Sequence, residues 1–259
     1  MRSALQMAIE QTRRGGSVII TLDQPECANA LSCTMAQDLV AAFDDAVASG
    51  ARAILLTGAG RAFCSGGQLS DPLPEDAGAI LEETINPLMR RLAGLDIPLI
   101  VALNGPAIGA GAALALAGDI VFAGRSAWLG FSFAQVGLVC DAGTSWLLPR
   151  TLGWHRAMAA MMLGKRISAE QAVEWGLVTQ VIDDDRLEEE ALALLDRFAT
   201  GPTRAFGMIR RLARQALELS FEDALTAERT AQYAAGLTSD FREGATAFRE
   251  RRAPRFVGR

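Results

Sequence analysis

The chain has 259 residues, 25 Lys and Arg against 30 Asp and Glu, a net charge of −5, and one histidine, His155. Half of the residues are hydrophobic, which suits a large buried core and argues against disorder. The acidic balance offers nucleic acid no overall attraction, and a lone histidine excludes most histidine zinc sites and any two-histidine mechanism.

The first sixteen residues, MRSALQMAIEQTRRGG, lack the apolar run of a signal peptide, so a cytoplasmic protein is expected. Residues 17–22 (SVIITL) read as a β-branched strand, and residues 34–49 show helical periodicity that Gly50 ends. Residues 53–57 (AILLT) form an apolar strand typical of a buried sheet. A glycine-rich segment, 58–69 (GAGRAFCSGGQL), follows it, and 71–78 read as a surface loop. Then come a helix over 79–93, a strand over 99–103, a helix over 109–117 and a strand over 120–123. Residues 97–118 carry no charge, yet Pro98 and the turn at 104–106 break the stretch, so no membrane span is expected.

Strand and helix alternate every 45–50 residues, the pattern of an α/β fold with parallel strands. Beyond Thr144 helices dominate, at 154–164, 168–175, 186–199, 203–217 and 221–236, with 178–181 strand-like. The chain divides into an α/β core, 1–199, and a helical region, 200–259. Pro202 after Gly201 is the expected hinge. The cysteines at 27, 33, 64 and 140 have no CxxC spacing, and Cys64 and Cys140 read as small hydrophobes.

The glycine turns fit few chemistries. GAGRAF lacks the third glycine of a dinucleotide fingerprint, because Phe63 stands there. No GxxxxGK[ST] phosphate loop and no GxSxG nucleophile elbow occurs. Two turns remain, each after an apolar strand: Cys64-Ser65-Gly66-Gly67, and the run from Gly105 to Gly111 that opens a helix. Small residues let the backbone approach a ligand, and free N–H groups at a helix start stabilise an anion. Two such turns on neighbouring strands can aim two N–H groups at one oxygen, an oxyanion hole. Tight backbone packing explains the same glycines, and spacing alone leaves both readings open.

RAFCSGGQL (61–69) and IPLIVALNGPAIGAGAALALAGDIVFA (97–123) resemble the two signatures of the crotonase family, the enoyl-CoA hydratase/isomerase superfamily. The likeness runs from QPECANAL (24–31) to FRERRAPRFVGR (248–259). It implies a spiral α/β core of ββα repeats and a helical C-terminal trimerisation region, assembled as trimers or dimers of trimers. It implies an acyl-CoA thioester substrate, with coenzyme A as part of the substrate and no further cofactor, metal, nucleic acid or membrane partner. The oxyanion donors fall on the N–H groups of Gly67 and Ala110. Substrate contacts fall on Ala28, Ala62, Cys64, Ser65, Gly66, Gln68, Leu69, Gly109 and Phe133, with Phe248 and Arg251 reaching the CoA nucleotide from a neighbouring subunit.

The resemblance also narrows the activity. Family hydratases use two glutamates, and those positions hold Ala113 and Phe133 here. Asp141, in GLVCDAGT (137–144), matches the GLxPDxGGT loop whose aspartate shuttles a proton in family isomerases. GTSWLLPR (143–150) and the C-terminal motif look most like the phenylacetate-pathway branch. The implied activity is therefore an acyl-CoA isomerase: a double-bond shift in an enoyl-CoA, or conversion of epoxyphenylacetyl-CoA to oxepin-CoA. Gln68, Cys140 and Thr144 depart from the family pattern. Asp119 is read as a paired structural carboxylate, and an N-cap is the alternative role for Asp141. The competing functions are an enoyl-CoA hydratase or other family lyase or hydrolase, and a non-catalytic binding protein of the same fold.

Overall fold

The computed structural model describes residues 8–68 and 75–259, so Leu69 and the first half of the 71–78 loop lie outside the described residues. The main sheet has six strands: β1 (Ile9–Arg14), β2 (Ser17–Leu22), β3 (Ile54–Gly58), β4 (Leu99–Leu103), β6 (Ile120–Gly124) and β9 (Gln180–Ile182). They lie in the order β1-β2-β3-β4-β6-β9. The β1–β2 hairpin is antiparallel and every other pairing is parallel.

A second, three-stranded sheet holds β5 (Ala107–Ile108), β7 (Trp128–Gly130) and β8 (Ile167–Ser168). Isolated bridges extend this inner layer, Cys64 beside Ala107 and Leu31 beside Gly67. The chain thus repeats one unit: a main-sheet strand, a short extended piece in the second layer, then a helix. β2, Leu31 and α1 (Cys33–Ala48) make the first turn of the spiral. β3 leads through Cys64 to α2 (Ala77–Ile80) and α3 (Asn86–Ala93), and β4 leads through β5 to α4 (Ala110–Ala115). One wide turn, Leu81–Ile85, joins α2 to α3 just before Pro87, whose missing N–H cannot continue a regular ladder. This is the spiral of ββα repeats that the family resemblance implies.

The strands alternate as a two-sided buried sheet requires. All five β4 residues are buried. Leu99, Val101 and Leu103 join the main core with α1 and α3, whereas Ile100 and Ala102 face α8 (Leu187–Ala199) through Leu187, Ala191 and Leu195. α5 (Thr144–Leu152), α6 (Trp154–Leu163) and α7 (Ala169–Glu174) complete the core.

The helical region comprises α9 (Thr203–Ala216), α10 (Phe221–Gly236) and α11 (Ser239–Glu250). Arg52 bonds Thr203 and Arg211 bonds Asp96, and one buried side chain ties the region to the core most extensively. Arg210, on α9 and only 6% exposed, bonds both oxygens of Asp119 at 2.7 and 2.8 Å and the carbonyls of Leu92, Ala93 and Leu95. Asp119 in turn accepts the Leu99 N–H at 2.8 Å, which makes it the paired carboxylate expected at the start of β6. By contrast, α10 has no buried residue at all, and Phe221 and Tyr233 are 75% and 72% exposed. Among the described residues no helix is long and apolar enough to cross a membrane.

Candidate active site

Parallel sheets present their ligands at the carboxyl ends of the strands, where the chain leaves for the next layer. β3 ends at Gly58 and β4 at Leu103, and the two glycine turns follow them directly. The turns are laced together. Ile108 N–H donates to the Cys64 carbonyl at 3.0 Å, and Cys64 N–H donates to the Pro106 carbonyl at 3.2 Å. Gly66 has a φ of +96°, and a Cβ added there would meet the Ile108 carbonyl oxygen at 2.5 Å and the Ala110 nitrogen at 3.8 Å. Only glycine permits this approach.

Two N–H groups result with no partner among the described residues. Gly109 caps α4 with φ 55° and ψ −123°, a conformation suited to glycine, and spends its own N–H on the Gly130 carbonyl at 2.8 Å. Ala110 then opens the helix, where the first N–H groups find no acceptor behind them. Gly67 is flanked by bonds to Leu31: Gly66 O accepts from Leu31 N–H at 2.8 Å and Gln68 N–H donates to Leu31 O at 3.0 Å. Among the described residues neither the Gly67 nor the Ala110 N–H has a hydrogen-bond acceptor.

Asp141 lies on the loop before α5. Phe133 joins this loop to the glycine turns. Its ring lies 3.6 Å from the position of a Cβ on Gly109, and its carbonyl accepts the Leu138 N–H at 3.0 Å. Asp141 does not cap α5, because Gly143 holds that position without side-chain help. Its Oδ1 is buried with no hydrogen-bond partner. Desolvation pushes its carboxyl up from 3.8 to about 6, against a smaller downward pull from its own backbone N–H. Ala142 and Gly143 follow with φ of 50° and 79°, so a non-glycine residue sits in the left-handed region beside the carboxylate.

A cavity of about 1200 Å³ opens between α4, this loop and α9. Ala113, Phe131, Ala142 and Thr144 line part of its wall, Met89 and Leu147 add apolar surface, and Gly67, Ala110 and Asp141 are not among the residues that line it. Among the described residues no group of three or more His, Cys, Asp or Glu could hold a metal ion.

The remaining expected contacts divide. Gly66, Gly67, Gly109, Ala110 and Phe133 come together as described, and Ser65 joins them through its N–H to the Ala28 carbonyl at 2.9 Å. Ala62 and Ala28 line the same turn and use their carbonyls to hold it. Gln68 is exposed beside Gly67. Cys64 presents no side chain to a ligand. It is fully buried, a Cβ at Gly111 would collide with it, and burial pushes its thiol up to about 12. Its contribution to the turn is its backbone. Phe248 (87% exposed) and Arg251 (φ 54°) sit at the end of α11, and no described hydrogen bond ties them to the glycine turns.

Sequence reasoning missed the two asparagines that staple the turn. Asn29 is fully buried and bonds Ala59, Ala62 and Gln24, and Asn104 accepts the Gly58 N–H and donates to Gly60. An isolated asparagine near a proline reads as loop chemistry, so only the long-range partners reveal this role.

The glycine turns thus present two N–H groups without an acceptor among the described residues, and Asp141 presents a carboxyl raised by burial. The family model described as "Enoyl-CoA hydratase/isomerase" matches residues 12–259, and the chain belongs to that family. The chain is 43% identical over 256 residues to the 1,2-epoxyphenylacetyl-CoA isomerase of Escherichia coli strain K12, covering 94% of this chain and 96% of that one. It is 41% identical over 246 residues to a "probable enoyl-CoA hydratase" of Rhodobacter capsulatus, covering 94% and 95%. Among solved structures, an enoyl-CoA hydratase from Bacillus anthracis superposes with a TM-score of 0.91 at 30% identity, over 97% of this chain and 100% of that one.

Proposed function

We propose that the protein is an acyl-CoA isomerase that stabilises a thioester enolate and moves one proton with Asp141. The observation that carries this reading is the pairing of two unspent N–H groups, on Gly67 and Ala110, with a single under-solvated carboxylate. As the Asp141 carboxylate takes a proton from the α carbon of a Δ3-enoyl-CoA, next to the carbonyl, negative charge moves onto the thioester oxygen. The two N–H groups and the positive end of α4 hold that charge. Asp141 then returns the proton to another carbon. A base whose carboxyl titrates near 6 holds a proton firmly enough to take one at neutral pH and still release it.

Ala113 and Phe133 favour isomerisation over hydration. Both are buried, and neither can position or deprotonate water. The phenylacetate-type substrate, epoxyphenylacetyl-CoA, stays alongside plain Δ3-enoyl-CoA as the acyl group, on the strength of the 43% identical relative. The unburied apolar faces of α10 and α11 support self-association of residues 200–259 into a trimer or a dimer of trimers. In such an assembly Phe248 and Arg251 would reach the CoA of a neighbouring subunit. Arg251→Glu is then expected to raise KM for CoA esters more than it lowers kcat; equal affinity would contradict the role.

The deciding experiment is turnover on a panel of Δ3-enoyl-CoA, epoxyphenylacetyl-CoA and crotonyl-CoA. Isomerisation of either of the first two with near-background water addition to the third supports the reading. Strong hydration of crotonyl-CoA would establish a hydratase instead, and no saturable turnover on any would favour a binding protein.

A further inference from the structure

We infer that Asn29 is a positioning residue for the reaction: it sets the direction of the Gly67 N–H. This rests on the oxyanion reading of that group. Five bonds tie the segment 28–31 to the loop that leaves β3. Three are backbone bonds: Ser65 N–H to Ala28 O, Leu31 N–H to Gly66 O, and Gln68 N–H to Leu31 O. The other two are the only side-chain rungs among the described residues, both donated by the Asn29 amide, to Ala59 O and Ala62 O at 2.9 Å each. Its carbonyl Oδ1 accepts the Gln24 N–H at 2.9 Å.

Three features make asparagine specific at this point. The residue is fully buried, so each of these bonds lacks a water substitute. Its φ of 54° is in the left-handed region, which asparagine tolerates better than most residues. Its two donors face two carbonyls, which a carboxylate of the same size would repel. Gly67 has no side chain to fix it, and its peptide lies between the two rungs made to Leu31. With the Asn29 rungs lost, residues 28–31 and 59–68 slide against each other, and the donor leaves its line to the thioester oxygen. Misplacement by about 1 Å costs on the order of 10²-fold in rate.

The test reads the carbonyl itself. The probe is butyryl-CoA labelled with ¹³C at the thioester carbonyl, bound to wild type, Asn29→Ser and Asn29→Ala and followed by infrared difference spectroscopy. Wild type is expected to lower the carbonyl stretch from its free value. Asn29→Ala is expected to lose most of that shift and about 10²-fold in kcat, with KM changed by less than about 3-fold. Asn29→Ser, which keeps one donor, falls between and guards against a variant that does not fold. A full carbonyl shift and unchanged kcat in a folded Asn29 variant, whatever its melting temperature, would overturn the inference. A wild-type enzyme that leaves the carbonyl stretch unshifted would instead overturn the oxyanion reading beneath it.

Discussion

The two halves of the proposed site are built in opposite ways. The glycine turns are bound on every side, by Leu31, Pro106 and Gly130 through the backbone and by Asn29 and Asn104 through side chains. The Asp141 loop is loosely held. Leu138 and Val139 are 45% and 86% exposed, Ala142 is left-handed, and the Asp141 and Thr144 side chains each keep a buried oxygen without a partner. Charge-holding groups gain from rigidity, because donors already aligned need no reorganisation when the enolate forms. A proton carrier gains from poor solvation, because a well-bonded carboxylate would be too weak a base. The fold supplies stability to one half and withholds it from the other.

The sharpest way to break this contrast is Asp141→Asn. It is expected to lower kcat for isomerisation by about 10³-fold, within the usual range for a proton-transfer group, with KM little changed. The same variant is expected to melt higher at neutral pH. The folded state holds the Asp141 proton more tightly than the unfolded chain, so ionisation destabilises the fold as pH rises from about 4 towards about 6. The gain, discounted for partial exposure, is about 1–2 kcal/mol above that window, and it vanishes below it. Thermal melts of both proteins across pH 4–8 measure it.

The rigid half breaks next. Ala110→Pro deletes the N–H at the first position of a helix, where proline is tolerated, so the donor goes while α4 stays. A loss of about 10²–10³ in kcat is expected, with circular dichroism unchanged. Outside both halves, Arg210→Met leaves Asp119 unpaired and removes the most extensive joint between α9 and the core. The expected cost is about 3–5 kcal/mol in denaturant titration, because the broken pair is largely buried. The smallest effect is a gain: Ala113→Glu with Phe133→Glu is expected to raise crotonyl-CoA hydration above background at the expense of isomerisation.

Much of this was legible before any coordinates. The apolar runs 53–57 and 99–103 and the glycine punctuation gave β3, β4 and the two turns, and helical periodicity gave α8, α9 and α10 within a residue or two. β1 was not legible, since IEQTRR buries only Ile9 and shows no two-sided pattern. β5, β7 and β8 have two or three residues each and carry too little periodicity to read. α11 hid because its sequence is mostly polar; its tail is held by Asp240 to Val257 and Gly258 N–H. In the site, Gly67, Ala110 and Asp141 were readable as motif positions. Asn29 was not, and Asp119 was readable as a paired carboxylate but its partner Arg210 was not, because these partners lie 30 or more residues away.

The central claim is that one under-solvated carboxylate moves the proton while the backbone holds the charge. The most direct test is the pH dependence of kcat/KM for Δ3-enoyl-CoA isomerisation in wild type and Asp141→Asn. The wild-type rate should rise as pH passes through about 6 and then level off, and the variant should be slow and flat through that range. A variant that keeps the wild-type rate, or the same inflection near pH 6, would show that another group carries the proton.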